Sequence, residues 1–378
     1  MTLDMTHPAI SDLARRAKRR LPWFVWEYLA SGTGDDTARD LNRVALDRVR
    51  LRPDVLKGPQ ETNLTTRFLG EDWAMPVGVA PVGMSGLIWP EGEKIIAKAA
   101  TKAGVPYCLS TVASMTPEEV GPYTAGRGWY QLYPPGDPDI RRDMLARAWN
   151  AGFRTLVLTA DVAVASRRER LRRAGISNPM KMTPKVVIDA ALHPAWALAT
   201  ASHGIPRLKT LEKYAEIATS RPGTSHIGYL LRCVPDIDYV KALRDEWQGN
   251  LVVKGVLDAD AASALPALGV DAVWVSNHGG RQFDGAPAGL DVLPAIRAAL
   301  PDTPLIYDGG IASGTDILRA IALGADFTFV GRAPHFGLAA FGMRGVAHVF
   351  EILRASIEAD LGQMALTRPE HAKGRLVG

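Results

Sequence analysis

The chain has 378 residues, of which 47% are hydrophobic and 22% charged, as is ordinary for a globular protein. Its net charge of +4 comes without a dense Lys/Arg tract interleaved with aromatic residues, so a nucleic-acid-binding protein is not expected. The two cysteines have neither metal-ligand nor disulfide spacing, residues 1–20 lack a signal-peptide core, and no apolar run approaches the roughly 20 residues of a membrane-spanning helix.

Residues 1–73 are predicted to form a helical segment that packs on a barrel. Helices are expected over residues 10–19, 23–29 and 35–49. The second ends at the helix stop Ser31-Gly-Thr-Gly34, and acidic residues begin the third, where the helix dipole favours them. Tyr28 lies one turn before the stop, so its position alone predicts a hydroxyl that points into water.

From residue 74, short apolar strands alternate with amphipathic helices. The strands are expected at 76–80, 105–109, 128–132, 154–159, 251–254, 272–275, 304–307 and 327–330. Continuous apolar strands of this kind indicate a parallel sheet covered on both faces. Eight units, with no GxGxxG after the first strand, predict an α/β fold of the closed (β/α)8 TIM barrel type over 74–350. A C-terminal helix and tail are expected over 351–378.

The alternation is interrupted after the fourth strand by about ninety residues, far more than an ordinary loop. An insertion is therefore expected over about 165–225. Its stretch 184–206 is apolar with basic flanks, but it is too short and too polar to span a bilayer. Two alternatives remain open: a helix on a membrane surface within about 176–215, or an extra helix packed on the barrel or on a neighbouring subunit.

The sequence Ser276-Asn-His-Gly-Gly-Arg-Gln282 follows the sixth strand. Its glycines let the backbone leave the strand without steric cost, which presents His278 and Arg281 just beyond the strand. A proton-accepting imidazole beside a fixed cation suits a substrate that carries a carboxylate next to a removable proton. Taken alone, the two residues are explained as well by a turn cap and a surface ion pair.

Polar residues end all eight strands, and in a barrel these ends share one rim. Asp161 is expected to orient His278 and to stabilise its protonated form. A carboxylate is expected to be held by Tyr28, Tyr133, Arg168 and Arg281. A planar polar heterocycle is expected at Ser110, Gln131, Thr159 and Lys254. A phosphate is expected at Asp308, Gly309, Gly310, Gly331 and Arg332.

Each of these residues also has a structural alternative. Ser110 and Thr159 could cap turns, Lys254 could serve only as an ion-pair partner, and Asp308 could begin a helix N-cap turn. The prediction of a site therefore depends on their joint placement at one rim rather than on any one of them.

The chain resembles the FMN-dependent L-2-hydroxy acid oxidases and dehydrogenases from residue 21 to about 345. The resemblance is carried by the 276–282 motif, Glu27-Tyr-Leu-Ala-Ser-Gly32, Gln131-Leu-Tyr133, Thr159-Ala-Asp161, Val253-Lys-Gly255, Asp308-Gly-Gly310 and Gly331-Arg332. Within the family the chain is similar to the membrane-associated mandelate dehydrogenase branch at Leu87-Ile-Trp-Pro90, Arg168-Glu-Arg170 and Thr183-Pro-Lys-Val-Val187.

The resemblance implies FMN as the cofactor, His278 as the base and Asp161 as its partner. It implies that Tyr133 binds the hydroxyl side of the substrate and that Lys254 stabilises reduced flavin. The implied FMN site comprises Pro81, Val82, Gly83, Ser110, Gln131, Thr159, Lys254, Ser276, Asp308, Gly309, Gly310, Gly331 and Arg332. No metal is implied.

The implied reaction is oxidation of a mandelate-like or lactate-like L-2-hydroxy acid to the 2-oxo acid, with electrons passed to a quinone or another non-oxygen acceptor. A homotetramer in the cytoplasm, peripheral on the inner face of the cell membrane, is expected. The alternatives are an oxidase that makes hydrogen peroxide, an FMN isomerase of isoprenoid diphosphates, a Schiff-base aldolase that uses Lys254, and an inactive flavin-binding barrel.

Three positions depart from common family patterns. Ala312 stands where many relatives carry an arginine, so one phosphate cation is missing and weaker FMN retention is expected. Gly83 stands where oxidases usually carry alanine, which favours an acceptor other than oxygen. Val112 stands where oxidases often carry tryptophan, which leaves room for a larger substrate side chain, but lactate dehydrogenases also carry a small residue there.

Overall fold

The structure is a computed structural model that describes residues 2–175, 183–214 and 232–377. The first two strands of the chain form an antiparallel hairpin: β1 (Thr66–Phe68) and β2 (Glu71–Trp73). Eight strands then form one parallel sheet: β3 (Val77–Val79), β4 (Cys108–Ser110), β5 (Gly128–Leu132), β6 (Phe153–Thr159), β7 (Asn250–Val256), β8 (Ala272–Val275), β9 (Leu305–Asp308) and β10 (Phe327–Val330).

The sheet closes on itself. Its order is β3-β10-β9-β8-β7-β6-β5-β4. At the remaining seam, Val79 forms a parallel bridge with Tyr107, and its N–H donates to the Pro106 carbonyl at 2.9 Å. The predicted TIM barrel is therefore confirmed, with each strand within a few residues of its predicted position.

Large side chains fill the barrel interior, where Trp274 packs against Phe329 with ring centroids 4.2 Å apart. The hairpin packs onto this core from the amino-terminal ends of the strands, and its Phe68 stacks on Phe327 at 4.9 Å. Leu69 and Gly70 form its turn with φ of 48° and 83°, a geometry that fits a tight hairpin. The sequence analysis did not predict this hairpin, because its outer positions are charged and interrupt the apolar pattern.

Helices surround the barrel and precede it. Those before the barrel are Leu3–Thr6, Ile10–Arg20, Trp23–Ala30 and Thr37–Arg48. Those between β3 and β6 are Ser85–Ile88, Gly92–Lys102, Pro117–Val120, the 3-10 turn Gly121–Tyr123, and Pro138–Asn150. Those described after β7 are Ala259–Ser263, Pro266–Leu268, His278–Gly280, Gly289–Ala299, Gly314–Ala322, Arg332–Phe341, Met343–Gln363 and Pro369–Arg375.

The insertion between β6 and β7 contributes the described helices Glu169–Arg173, Pro184–Ala191, Pro194–His203, Lys209–Glu212 and Ile237–Glu246. The apolar stretch thus forms two helices, separated before Pro194, instead of one. Trp196 packs edge-on against Phe24 at 5.6 Å and its indole N–H donates to the Leu87 carbonyl at 3.0 Å, which fixes one face to the body of the protein.

The opposite face of these helices is exposed. Its large apolar side chains are Val187, Ile188, Leu192 and Leu198, followed by Ile205. Residues 176–182 and 215 of the stretch predicted to contact a membrane lie outside the described residues. Within the ranges that the structure describes, no helix is both long enough and apolar enough to cross a bilayer.

The N-terminal segment reaches the carboxyl rim of the barrel. The Thr33 N–H donates to the Gly280 carbonyl at 2.9 Å, and a Cβ on Gly280 would lie 2.3 Å from the Arg39 nitrogen. This close approach, at a φ of 73°, requires glycine in the 276–282 motif. The division of the chain at residues 73 and 350 remains a prediction.

Candidate active site

His278 and Asp161 come together at the carboxyl rim, from the ends of β8 and β6. His278 Nδ1 lies 3.1 Å and 3.2 Å from the two Asp161 carboxylate oxygens. Because an ionised carboxylate only accepts hydrogen bonds, Nδ1 carries the proton and Nε2 is left with its lone pair. His278 has a φ of 58°, and the Ser276 hydroxyl accepts from its N–H at 3.0 Å, so the ring is held in an uncommon backbone conformation.

The surroundings keep this pair as a neutral imidazole beside an ionised carboxylate. Burial lowers the pKa of His278 below its ordinary value, although Asp161 acts to raise it. Burial acts to raise the pKa of Asp161, but the adjacent His278 and the Lys254 ammonium hold it below its ordinary value. A neutral imidazole whose proton-bearing form would be stabilised by a carboxylate is suited to general-base chemistry.

Lys254 is buried at the end of β7 within a polar network. Its Nζ donates to the Ser276 hydroxyl at 2.7 Å and lies 2.9 Å from an Asp308 carboxylate oxygen. The Ser276 hydroxyl in turn donates to Asp308 at 2.5 Å. Lys254 therefore forms an ion pair, and its ammonium contacts residues at the ends of β8 and β9 at the rim. Its role beside a cofactor ring stays a prediction. The N-cap alternative for Asp308 is wrong, since Ser313 caps the next helix.

A second polar chain crosses β4, β5 and β6. The Ser110 hydroxyl donates to Gln131 Oε1 at 2.8 Å, and Gln131 Nε2 donates to the Thr159 hydroxyl at 2.9 Å. All three side chains are buried. They form one connected edge of amide and hydroxyl groups, as the prediction for a planar polar heterocycle requires, although Ser110 also accepts from the Val112 N–H at 3.3 Å as a turn cap would.

Two partly buried arginines cap the C-terminus of the helix Trp23–Ala30. Arg281 donates to the carbonyls of Tyr28 and Ser31 at 2.9 Å and 2.8 Å. Arg332 donates to the carbonyls of Leu29 and Ser31, both at 3.2 Å, and to that of Gly279 at 3.1 Å. The last carbonyls of a helix lack partners within it and carry partial negative charge, so these cations satisfy and complement them.

The same region is electropositive. Burial, together with the charges of Arg168 and Arg332, lowers the pKa of Arg281. Burial likewise lowers the pKa of Arg332. An anion would stabilise guanidiniums that lie close together in this way, so the cluster can receive a negatively charged ligand.

Tyr28 faces the barrel rather than water. Its hydroxyl donates to the Gly83 carbonyl at 2.9 Å, after β3, and Arg281 lies over its ring at 5.5 Å. The position-based prediction for the Tyr28 hydroxyl is therefore wrong, and its placement at the rim is right. Tyr133 follows β5, where its N–H donates to the Thr111 hydroxyl at 3.2 Å. Arg168 follows β6 with its Nε 3.1 Å from the Ser166 hydroxyl.

The glycine-bearing loops form the remaining part of the rim. Gly309 and Gly310 adopt φ of 126° and 75°, which only glycine tolerates readily. Gly331 has an ordinary φ, and a Cβ there would meet nothing closer than Val82 at 3.7 Å. The protein's own packing thus leaves room beside Gly331. Val82 borders this opening, and Pro81 precedes it after β3, partly exposed.

Two buried acids near this helix end were not predicted from the sequence. Glu27 and Asp36 are buried on either side of the Ser31-to-Gly34 stop, and both pair with Arg170. The signal available was one glutamate within the otherwise apolar helix Trp23–Ala30. His335 was missed too: its Nδ1–H donates to the Gly331 carbonyl at 2.7 Å, and its Nε2 lies 2.9 Å from the Ser85 hydroxyl.

Comparison with known proteins gives consistent matches. The family described as FMN-dependent dehydrogenase matches residues 17–377. (S)-Mandelate dehydrogenase of Pseudomonas putida is 37% identical over 363 residues, 94% of this chain and 90% of that protein. An L-lactate dehydrogenase of Xanthobacter autotrophicus is 38% identical over 348 residues, 91% of this chain and 89% of that protein.

Solved structures agree with this family assignment. The crystal structure of the monotopic membrane protein (S)-mandelate dehydrogenase superposes with a TM-score of 0.90 at 34% identity, covering 98% of both chains. A mandelate oxidase superposes with a TM-score of 0.81 at 31% identity, also covering 98% of both chains. With a family match that spans almost the whole sequence, the chain belongs to the FMN-dependent dehydrogenase family.

Proposed function

We propose that this enzyme oxidises an L-2-hydroxy acid to the 2-oxo acid at the barrel rim, with His278 as the base. The observation that carries the proposal is the Asp161–His278 pair, 3.1 Å apart beside the Arg281 and Arg168 cations. The pair supplies a proton acceptor, and the cations supply a carboxylate site. The family match favours this activity over an aldolase or an isomerase.

His278 Nε2 takes the substrate proton. The Nδ1–H bond to Asp161 fixes the ring orientation and the tautomer that leaves Nε2 free. Once the imidazole is protonated, Asp161 stabilises its positive charge. The proton is taken from the substrate α-carbon or from its hydroxyl, and both routes need the same base within hydrogen-bond reach.

The substrate carboxylate binds to Arg281 and Arg168. Arg281 donates from Nη1 to two main-chain carbonyls, and its Nε and Nη2 groups can donate to the substrate carboxylate. The Tyr28 hydroxyl lies at this rim and Tyr133 follows β5 beside it, and Tyr133 is assigned to the hydroxyl side of the substrate. Such a clamp fixes which hydrogen of the substrate faces His278.

The residues at the rim fit FMN. The Ser110–Gln131–Thr159 chain offers donors and acceptors to a planar ring, and the buried Lys254 ammonium matches an electron-rich ring edge. The open space at Gly331 and the Arg332 cation suit a phosphate. The Lys254 cation suits a ring that gains negative charge. When bound, FMN supplies the two-electron acceptor for the oxidation.

The decisive experiment is anaerobic mixing of the FMN-loaded protein with a panel of L-2-hydroxy acids. Bleaching of the oxidised flavin absorbance by (S)-mandelate or L-lactate is expected, and their D or (R) isomers should be much slower. Absence of bleaching by every acid in the panel would refute the proposal. A short residue at Val112, against which Gly83 packs, predicts that mandelate is accepted.

The electron acceptor is proposed to be a quinone, reached from a membrane surface. Support comes from a monotopic membrane relative and from the exposed apolar side chains Ile188 and Leu198, 61% and 72% accessible. Lys185 and Arg207 flank them. Such a face binds lipid by apolar burial with electrostatic help. A cytoplasmic location and a homotetramer remain predictions.

Vesicle sedimentation tests this surface. Ile188→Asp with Leu198→Asp should release the protein from vesicles of mixed neutral and anionic lipid, while anaerobic flavin reduction stays unchanged. Ile237→Asp is the matched control, because Ile237 is also exposed, at 55%, but begins a helix elsewhere. Equal vesicle binding by all three proteins would contradict a lipid role for this face.

A further inference from the structure

We propose that Arg170 is a positioning residue that holds Arg168, and with it the start of the insertion, against the end of the helix Trp23–Ala30, to which Arg281 also binds. The inference rests on the proposed role of Arg168 in binding the substrate carboxylate. The side-chain hydrogen bonds of Arg170 go to Glu27 and Asp36, not to the reacting pair Asp161 and His278.

Arg170 joins two buried acids across a large sequence distance. Its Nε and Nη2 donate to the two Glu27 carboxylate oxygens at 2.6 Å and 2.8 Å, a two-pronged pair. Its Nη1 donates to Asp36. The carboxylates of Glu27 and Asp36 are only 8% and 7% exposed. The planar guanidinium presents several N–H donors in fixed directions, so the one side chain of Arg170 can bind both carboxylates.

Two further bonds dock the same segment. The Arg168 N–H donates to the Thr33 hydroxyl at 3.2 Å, and the Gly34 N–H donates to the Glu169 carboxylate at 2.7 Å. Three consecutive residues after β6 are thus tied to the loop that ends the helix Trp23–Ala30. The Tyr28 and Ser31 carbonyls that hold Arg281 belong to this same helix end.

The docking compensates for an unfavourable backbone. Arg168 has a φ of 45°, a left-handed conformation that a residue with a long side chain seldom adopts. Such a conformation persists only where surrounding contacts over-determine it. Without the Arg170 bonds, the backbone at Arg168 would relax to an ordinary conformation and swing its guanidinium away from Arg281.

Arg170 also neutralises acids that would repel the substrate. Burial acts to raise the pKa of Asp36, but its bond from Arg170 and its contact with Gly32 keep that pKa below its ordinary value. Asp36 is therefore ionised. Glu27 immediately precedes Tyr28 in the sequence. Loss of Arg170 removes the guanidinium that Glu27 and Asp36 share and leaves Asp36 paired with Arg39, close to the place where a carboxylate must bind.

The test compares Arg170→Met with Arg168→Met and with Arg141→Met in the FMN-loaded protein. Arg141 is a matched control, since it makes the same two-pronged bond to Glu246, at 2.7 Å and 2.7 Å, on the helices Pro138–Asn150 and Ile237–Glu246. Two quantities are measured: KM and kcat with (S)-mandelate or L-lactate, and Kd for the 2-oxo acid product from its perturbation of the flavin spectrum.

Arg170→Met should raise KM and product Kd roughly tenfold or more with a smaller change in kcat, because misplaced binding groups weaken substrate capture. Arg141→Met should leave KM and the product Kd unchanged. Arg170→Lys, which keeps the charge but not the fork, should fall between Arg170→Met and the unaltered protein. A KM unaltered in Arg170→Met, or altered equally in Arg141→Met, would overturn the inference.

The outcome for Arg168→Met separates the inference from the proposed site. If Arg168→Met leaves KM unchanged, the carboxylate site itself is wrong. If Arg168→Met raises KM and Arg170→Met does not, only the positioning role fails. Should Arg170→Met not fold, Thr33→Val removes the hydrogen bond from the Arg168 N–H to the Thr33 hydroxyl with little change in side-chain size, and it is also expected to raise KM. An unchanged KM in Thr33→Val counts against the inference.

Discussion

Replacing Asp161 with Asn tests the central pair with the least disturbance to packing. A Cβ on Gly255 would lie 2.5 Å from Asp161 Cβ, so the backbone around this side chain is close and an isosteric change is needed. The substitution removes a charge-assisted hydrogen bond worth about 1.5–3 kcal/mol once His278 is protonated. If all of that is felt in the transition state, substrate-driven flavin reduction slows about 10- to 150-fold.

The pH dependence gives an independent readout. The base must be neutral, so activity is present above the pKa of His278 and is lost as the pH falls through it. Asp161 acts to raise that pKa against the effect of burial. Asp161→Asn therefore lowers the pKa of His278 further and moves the acidic limb of the rate profile to lower pH.

The assay is anaerobic stopped-flow bleaching of the flavin between pH 4.5 and 8, with the flavin spectrum and thermal unfolding as controls for cofactor and fold. A slower rate with an acidic limb displaced to lower pH is expected. An unchanged rate, or an acidic limb displaced to higher pH, would refute the assignment of His278 as a base assisted by Asp161.

Three other outcomes are expected. Burial lowers the pKa of His335 to about 4, from about 6.5 in the unfolded chain. The residue therefore costs no stability above a pH of about 6.5, and it costs about 3 kcal/mol of unfolding free energy when the pH has fallen to 4. Urea unfolding of His335→Gln should show a correspondingly weaker loss of stability from pH 7 to 4.5. Lys254→Met leaves the Asp308 carboxylate, 10% exposed, without its cation and should lower the unfolding free energy by about 3–5 kcal/mol, measured by denaturant titration. Ala312 is exposed, so Ala312→Arg should add a cation for the FMN phosphate and lower the FMN Kd roughly fivefold, or about 1 kcal/mol. Flavin fluorescence on reconstitution measures this Kd. An unchanged Kd would show that the added cation does not reach the phosphate.

The barrel and its central pair could be predicted from the sequence because each depends on a local pattern and one rule of topology. Short apolar runs such as Ala272–Val275 identify strands, and parallel strands bring their following residues to one rim. That rule alone predicted that Asp161 and His278 would meet, although they are 117 residues apart in sequence. The β1–β2 hairpin has no such local pattern, since its strands are three residues each and mostly polar.

Contacts between separate elements could not be predicted in the same way. Tyr28 is at a helix end whose local sequence indicates a water-facing hydroxyl, and only the placement of that helix over β3 turns the hydroxyl to the Gly83 carbonyl. The Arg170 bonds to Glu27 and Asp36 span 143 and 134 residues. Neither spacing nor residue type distinguishes such a pair from a solvated surface charge.

One helix end explains why the N-terminal segment is inseparable from the active site. The C-terminus of Trp23–Ala30 presents carbonyls without partners within the helix, and Arg281 and Arg332 fill that need from β8 and β10. The Ser31 carbonyl accepts from both, so the arginine assigned to the substrate carboxylate and the one assigned to the phosphate share an acceptor. Arg332 helps to lower the pKa of Arg281, and the negative end of that helix dipole holds the two cations close to each other. Occupation of either anion site therefore relieves repulsion at the other, and FMN binding should favour, not oppose, binding of the hydroxy acid.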